Sequence, residues 1–177
     1  MGAILFVLAL AVITKKGLPL YTGLIGSRLK KAKSNPELRN YLAQILLFNL
    51  LGVLTLFLVV LSVQQKIFFL MALDRANVKF SFSYIYILIS SLVCGLCVYL
   101  AVMSKDKLIL ILSVMTFILC DFRHCIAEAP FFFLRIYSNP SFDGLFKFIL
   151  IILGNSFGAG FANYFLAKKQ GGHTDAK

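Results

Sequence analysis

Cys120-Asp121-Phe122-Arg123-His124-Cys125-Ile126-Ala127-Glu128 lies between two apolar runs, residues 108–119 and 129–134. Nine residues hold three charges, an imidazole and two thiols. If the flanking runs lie in a bilayer, these charges are costly there. They must then face a cavity or a partner, and such a cluster marks a functional site. Whether the flanks are membrane is decided by the rest of the chain.

The 177 residues are 60% hydrophobic and 14% charged, with a mean hydropathy of +0.89. A soluble domain of this length has too little polar surface to cover that much apolar area. Residues 41–63 carry no charge over 23 positions, and residues 80–104 none over 25. A hydrocarbon core of about 30 Å needs about 20 helical residues. Both stretches read as spans, so the chain is an all-α membrane protein. One transmembrane domain is expected over residues 1–170, followed by a flexible tail over 171–177.

The net charge of +11 invites a nucleic-acid reading, and its distribution argues against one. Arg28, Lys30, Lys31, Lys33 and Arg39 share one connection. Lys105 and Lys107 share a second, and Lys168, Lys169 and Lys177 lie at the C-terminus. The intervening connections carry only Lys66, Arg75, Lys79, Arg135 and Lys147. This asymmetry is the positive-inside pattern. It places the C-terminus in the cytoplasm, with the bacterial inner membrane as the expected location. Five apolar blocks then put the N-terminus on the opposite side. The first fourteen residues look like a signal h-region, but no charged segment precedes them and Lys15-Lys16 follows at once. They read as part of the fold. Cys94, Cys97, Cys120 and Cys125 all fall at membrane depth and form no extracellular disulfide framework.

Two apolar blocks, residues 3–14 and 108–119, are too short to span alone, and each runs into polar residues. After the first come Lys15-Lys16-Gly17-Leu18-Pro19-Leu20-Tyr21-Thr22-Gly23, whose glycines and proline break a helix. A short helical piece is expected over 24–32. After the second comes the opening nonapeptide, then Pro130 as a further interruption, then 131–137. Each broken block is followed by a full span carrying Asn-x-x-Gly: Asn49-Leu50-Leu51-Gly52 and Asn155-Ser156-Phe157-Gly158. Matching broken segments in two halves point to a transporter-like site. Irregular backbone at that depth is tolerated only where protein or water satisfies it. The expected repeats cover about 3–65 and 80–168.

These residues resemble the formate/nitrite transporter family: Thr22 within Leu20-Tyr21-Thr22-Gly23, Asn49-x-x-Gly52, Phe122-x-His124-x-Ile126-Ala127 and Gly154-Asn155-x-x-Gly158. The resemblance spans nearly the whole chain. It implies an aquaporin-like inverted repeat, a homopentamer, no cofactor, and passage of small monovalent anions of weak acids. Formate, nitrite, hydrosulfide, acetate and lactate belong to that class. It also implies roles for single residues. His124 is similar to the central pore histidine and Thr22 to the loop threonine facing it. Asn155 matches the asparagine of the last span. Arg75, or else Lys79, matches the basic residue at the outer mouth. Phe6 and Leu10 correspond to one apolar constriction, Leu20 and Phe117 to the other. The chain departs from the family pattern at four points. It begins inside what corresponds to the second span. Pro19 stands where an acidic residue is usual, Arg123 where a glutamate precedes the histidine, and Glu128 where an asparagine follows it.

The residues also carry their own chemistry. A bare anion cannot cross an apolar constriction, because desolvating the charge costs too much. A proton from His124, or from water polarised by it, converts the anion into a neutral acid that can cross. Glu128, four residues on, would share a helical face with His124 and orient its ring. Arg123 would attract anions or form a structural ion pair with Asp121 or Glu128. Lys15 and Lys16 either add to the field or snorkel to an interface. Two other classes remain open: a non-conducting assembly or binding protein derived from the family, and an intramembrane metal or redox protein built on Cys120, His124, Cys125 and Glu128. Cysteines in a membrane are otherwise small apolar fillers. No catalytic triad or nucleotide-binding loop is present, and the chain does not read as an enzyme.

Overall fold

The computed structural model describes residues 8, 11–13, 15–63, 66–104 and 106–171. Helix is the only regular element among them. We label α1 (Tyr21–Ser34), α2 (Pro36–Val63), α3 (Lys66–Ser81), α4 (Tyr84–Met103), α5 (Lys107–Leu119), α6 (Cys125–Ser138) and α7 (Phe142–Gly171). A helical stretch also precedes α1. Phe6, Leu10, Lys105, His173 and Lys177 lie outside the described residues, as does the tail beyond Gly171.

Among the described residues, three helices are long and apolar enough to cross a membrane: Pro36–Val63, Tyr84–Met103 and Phe142–Leu166. Local chemistry sets their starts. Pro36 opens α2 behind Asn35, whose Oδ1 accepts the Leu38 N–H at 3.1 Å. Ser83 caps α4 by accepting the Tyr86 N–H. Asp106 caps α5 by accepting the Leu108 N–H at 2.8 Å.

Two expectations are corrected here. Residues 80–104 are not one helix: the chain breaks at 82–83, and Phe80 and Ser81 end a separate helix, α3, where a connection was expected. Pro130 does not interrupt α6, which runs through it to Ser138. The missing N–H removes one backbone bond, which a membrane helix tolerates when its neighbours compensate.

The central interface is α4 against α7, with α1 packed on α7. Small residues allow it. A Cβ on Gly158 would collide with the Leu92 carbonyl, and one on Gly95 with the Asn155 backbone. These glycines therefore serve close helix packing. Half of the apolar window of α4 and of α7 is buried within the chain, against 6% for α2. Helix α2 forms the periphery.

The two Asn-x-x-Gly motifs are thus unequal in packing, because a Cβ at Gly52 would meet nothing within 4 Å. Gly158→Ala is expected to lower the melting temperature of the purified protein, at a cost of about 1–3 kcal/mol from overpacking. Gly52→Ala is expected to leave it unchanged or raise it, by up to about 1 kcal/mol of helix propensity. Equal melting shifts would show that the α4–α7 approach is looser than described.

Candidate functional site

Both broken helices are built the same way. The first stops at Lys16. Gly17 takes the left-handed conformation, with φ +63°, and the Leu18 N–H returns to the Ile13 carbonyl at 3.0 Å. The second, α5, stops at Cys120. Asp121 takes the left-handed conformation, with φ 49°, and the Phe122 N–H returns to the Phe117 carbonyl at 2.9 Å. Each is a Schellman stop. Glycine suits the first without strain. Aspartate is one of the few other residues that visit this region.

Three non-helical residues follow each stop, 18–20 and 122–124. Leu20 (φ −108°, ψ 124°) and His124 (φ −102°, ψ 124°) then hold the same place in front of the restarting helices α1 and α6. The first N–H of each restart finds an asparagine. Asn49 Oδ1 accepts from Tyr21 N at 3.4 Å, and Asn155 Oδ1 accepts from Cys125 N at 2.8 Å. Asn155 also donates from Nδ2 to the carbonyls of Ser91 (2.9 Å) and Arg123 (2.8 Å). Its amide is spent on backbone, so it positions the second break.

The two restarts face each other. Thr22 Oγ1 lies 3.4 Å from His124 Nε2 and 4.0 Å from Cys125 Sγ, and all three residues are buried. Two helix N-termini, each equivalent to about half a positive charge, therefore converge on one point. His124 Nδ1 accepts the Ala127 N–H at 3.4 Å as the side-chain cap of α6. An accepting Nδ1 puts the proton of the neutral ring on Nε2, which then presents an N–H beside the Thr22 hydroxyl. Phe117 packs on the imidazole with ring centroids 5.7 Å apart. Leu20 joins the apolar cluster that contains Phe117, Val98, Cys94 and Cys97. The two residues expected as one constriction thus belong to the same cluster, with Phe117 against His124. A cavity of about 430 Å³ reaches Leu20 along α1, lined among others by Pro19, Gly23 and Arg28.

The charged cluster flanks the same point. Lys79 Nζ contacts Asp121 Oδ1 at 2.7 Å and Glu128 Oε1 at 2.8 Å. Arg123 Nη1 lies 3.3 Å from Glu128 Oε1 and 3.4 Å from Asp121 Oδ2. The structure thus brings Lys79 to the site, while Arg75 is exposed further back on α3. Glu128 engages the two cations, so the expected helical face shared with His124 is replaced by a break in which His124 is the cap. The Arg123 side chain is 1% exposed. Phe82 and Tyr86 cover it, with their ring centroids 5.1 and 5.9 Å from Cζ. Their i, i+4 spacing was the available signal for this cover, and sequence reasoning missed it. It also missed that Asn49 and Asn155 hold corresponding N–H groups.

Among the described residues, no three His, Cys, Asp or Glu side chains converge as metal ligands. Cys120 is exposed and Cys125 is buried against Thr22, so the donor set imagined for a metal is split.

The helices form an all-α membrane fold in which two interruptions enclose buried polar groups. The model of the formate/nitrite transporter family matches residues 1–167, and the chain belongs to that family. It is therefore a membrane anion transporter in general class, from a family of channels and transporters rather than enzymes. No curated protein matches significantly. No solved structure does either.

Proposed function

We propose that this chain passes small monovalent anions of weak acids across the membrane between the two half-helix N-termini, as a channel or with proton coupling. Formate, nitrite, hydrosulfide, acetate and lactate fit the class. The supporting observation is the 3.4 Å approach of Thr22 Oγ1 to His124 Nε2 at the point where the two helix ends converge. An anion drawn there by the N-terminal dipoles meets the apolar side chains of Leu20 and Phe117. Crossing them as an ion is prohibitive, so it crosses as the neutral acid. The proton is relayed by water hydrogen-bonded to Nε2–H and the Thr22 hydroxyl, and returns to water on the far side. Because Nδ1 already accepts the Ala127 N–H, a second ring proton would displace that cap. Proton relay through water fits this geometry better than a standing imidazolium.

The matched breaks support a division into two inverted repeats. The uncovered apolar face of α2 fits lipid or a neighbouring copy, in keeping with a ring-like homo-oligomer, a pentamer by family resemblance. An inner-membrane location with a cytoplasmic C-terminus completes the reading.

The test is uptake of radiolabelled formate by proteoliposomes at two pH values. Wild-type flux is expected to be faster at the lower pH. His124→Ala is expected to lose about a hundredfold or more, the range of a catalytic proton-transfer contribution, while the lost α6 cap lowers its stability by only about 0.5–2 kcal/mol. Absent wild-type flux at both pH values would favour the non-conducting assembly role instead.

A further inference from the structure

Arg123 has more hydrogen-bonding capacity than its neighbours use. Its Nη1 meets Glu128 and Asp121, but Nε and Nη2 are buried without a hydrogen-bond partner. Glu128 Oε2 is also buried and unpartnered. A buried donor left unpaired costs about 1–3 kcal/mol, and more when charged. Such a group in a native structure calls for an unseen water, ion or ligand. The cluster is balanced without one: Lys79 and Arg123 face Asp121 and Glu128.

The open atoms have a definite shape. Nε–H and Nη2–H form one edge of a rigid planar fork, the arrangement that takes two oxygens of a carboxylate in parallel. The edge belongs to the residue directly before His124, and its carbonyl is held by Asn155. Its covering rings, Phe82 and Tyr86, are themselves 37% and 39% exposed. The Asp121 side chain, which Nη1 meets, is 61% exposed. The buried guanidinium thus has partly exposed side chains as its immediate neighbours. Glu128 Oε2 leaves one acceptor nearby for a protonated oxygen.

We infer that the Nε–Nη2 edge of Arg123, the residue before His124 in the second break, is a binding site for planar two-oxygen solutes, carboxylates and nitrite. This inference rests on the proposed anion pathway and narrows its substrate class. Monatomic and sulfur anions have no second oxygen for the fork, so they gain only the charge. Lysine at this position would supply charge without the paired donors.

The probe is sodium formate against sodium chloride at equal ionic strength, read as thermal stabilisation of the purified protein in detergent. Formate is expected to raise the melting temperature of wild type in a saturable way, and chloride is not. Arg123→Lys is expected to weaken the apparent formate affinity by about tenfold or more, the scale of a lost charge-assisted bond. The double variant Arg123→Leu/Glu128→Leu removes the ion pair as a unit, which preserves folding better than breaking it. It is expected to lose the formate response while still melting cooperatively. Absence of formate stabilisation in wild type overturns the site. So does undiminished formate affinity in either variant. Proteoliposome flux separates the two readings. Arg123-dependent formate binding without flux leaves the site standing and removes the transport proposal. Flux through Arg123→Lys with unchanged formate KM removes the site alone.

Discussion

Glu128→Gln is expected to destabilise the purified protein by about 3–5 kcal/mol, the cost of removing one partner from a buried ion pair. The side chain keeps its shape, so the loss is electrostatic. Glu128 Oε1 is shared by Lys79 at 2.8 Å and Arg123 at 3.3 Å, and its side chain is 4% exposed. Asp121 remains for both cations, but it is largely solvated. Its field is weakened by water, and it sits 3.4 Å from Arg123. The guanidinium is left under Phe82 and Tyr86 with most of its charge unmatched. Arg123→Leu/Glu128→Leu should recover most of the loss, because replacing a buried pair by apolar side chains is often neutral. Thermal melts of the three proteins check this. If Glu128→Gln melts with wild type, the cluster is wetter than its burial implies.

Asn155→Ala is expected to cost several kcal/mol, comparable to Glu128→Gln though uncharged. One amide satisfies three buried backbone groups: the Cys125 N–H and the carbonyls of Ser91 and Arg123. The Ser91 carbonyl keeps its place in the α4 helix, but the Cys125 N–H and the Arg123 carbonyl lose this partner at about 1–3 kcal/mol each, and membrane depth offers no water to replace the amide. Asn155→Asp should be no better. It keeps the acceptor for Cys125 but turns a carboxylate oxygen toward two carbonyls. Asn49→Ala is the internal control. Its bond to Tyr21 N is 3.4 Å long and only part-buried, so about 1 kcal/mol or less is expected. A similar loss at both asparagines would mean that the two halves are held more alike than the geometry says. The large loss at Asn155 also predicts lost transport, through a collapsed break rather than a missing solute contact. A melt run beside the flux assay separates it from His124→Ala.

Much of this architecture was legible in the chain. Uncharged runs of membrane length gave the spans, and the polar interruptions at 15–23 and 120–128 gave the two breaks. Both signals are local: a bilayer forbids charge and unpaired backbone whatever packs nearby. The order of motifs pointed to the family. Less legible was helix α3, because its four charges and modest hydropathy read as a connection. The reading of Glu128 also changed. Four-residue spacing pairs it with His124 only in a continuous helix. The left-handed turn at Asp121 makes His124 a cap and turns the carboxylate toward Lys79 and Arg123.

By itself, the order of residues determined a membrane protein with two interrupted helices, an imidazole at the second break and a threonine just after the first. Only the tertiary structure decided which groups meet across those breaks. Thr22 and His124 are a hundred residues apart in the chain, and their 3.4 Å approach depends on α1 and α6 restarting toward each other. The same holds for Lys79 over Arg75 and for the unfilled edge of Arg123. Hydropathy reports what each residue needs from its solvent. Partners across the bundle are set by where glycine-lined helices can approach and where an asparagine can hold a broken backbone.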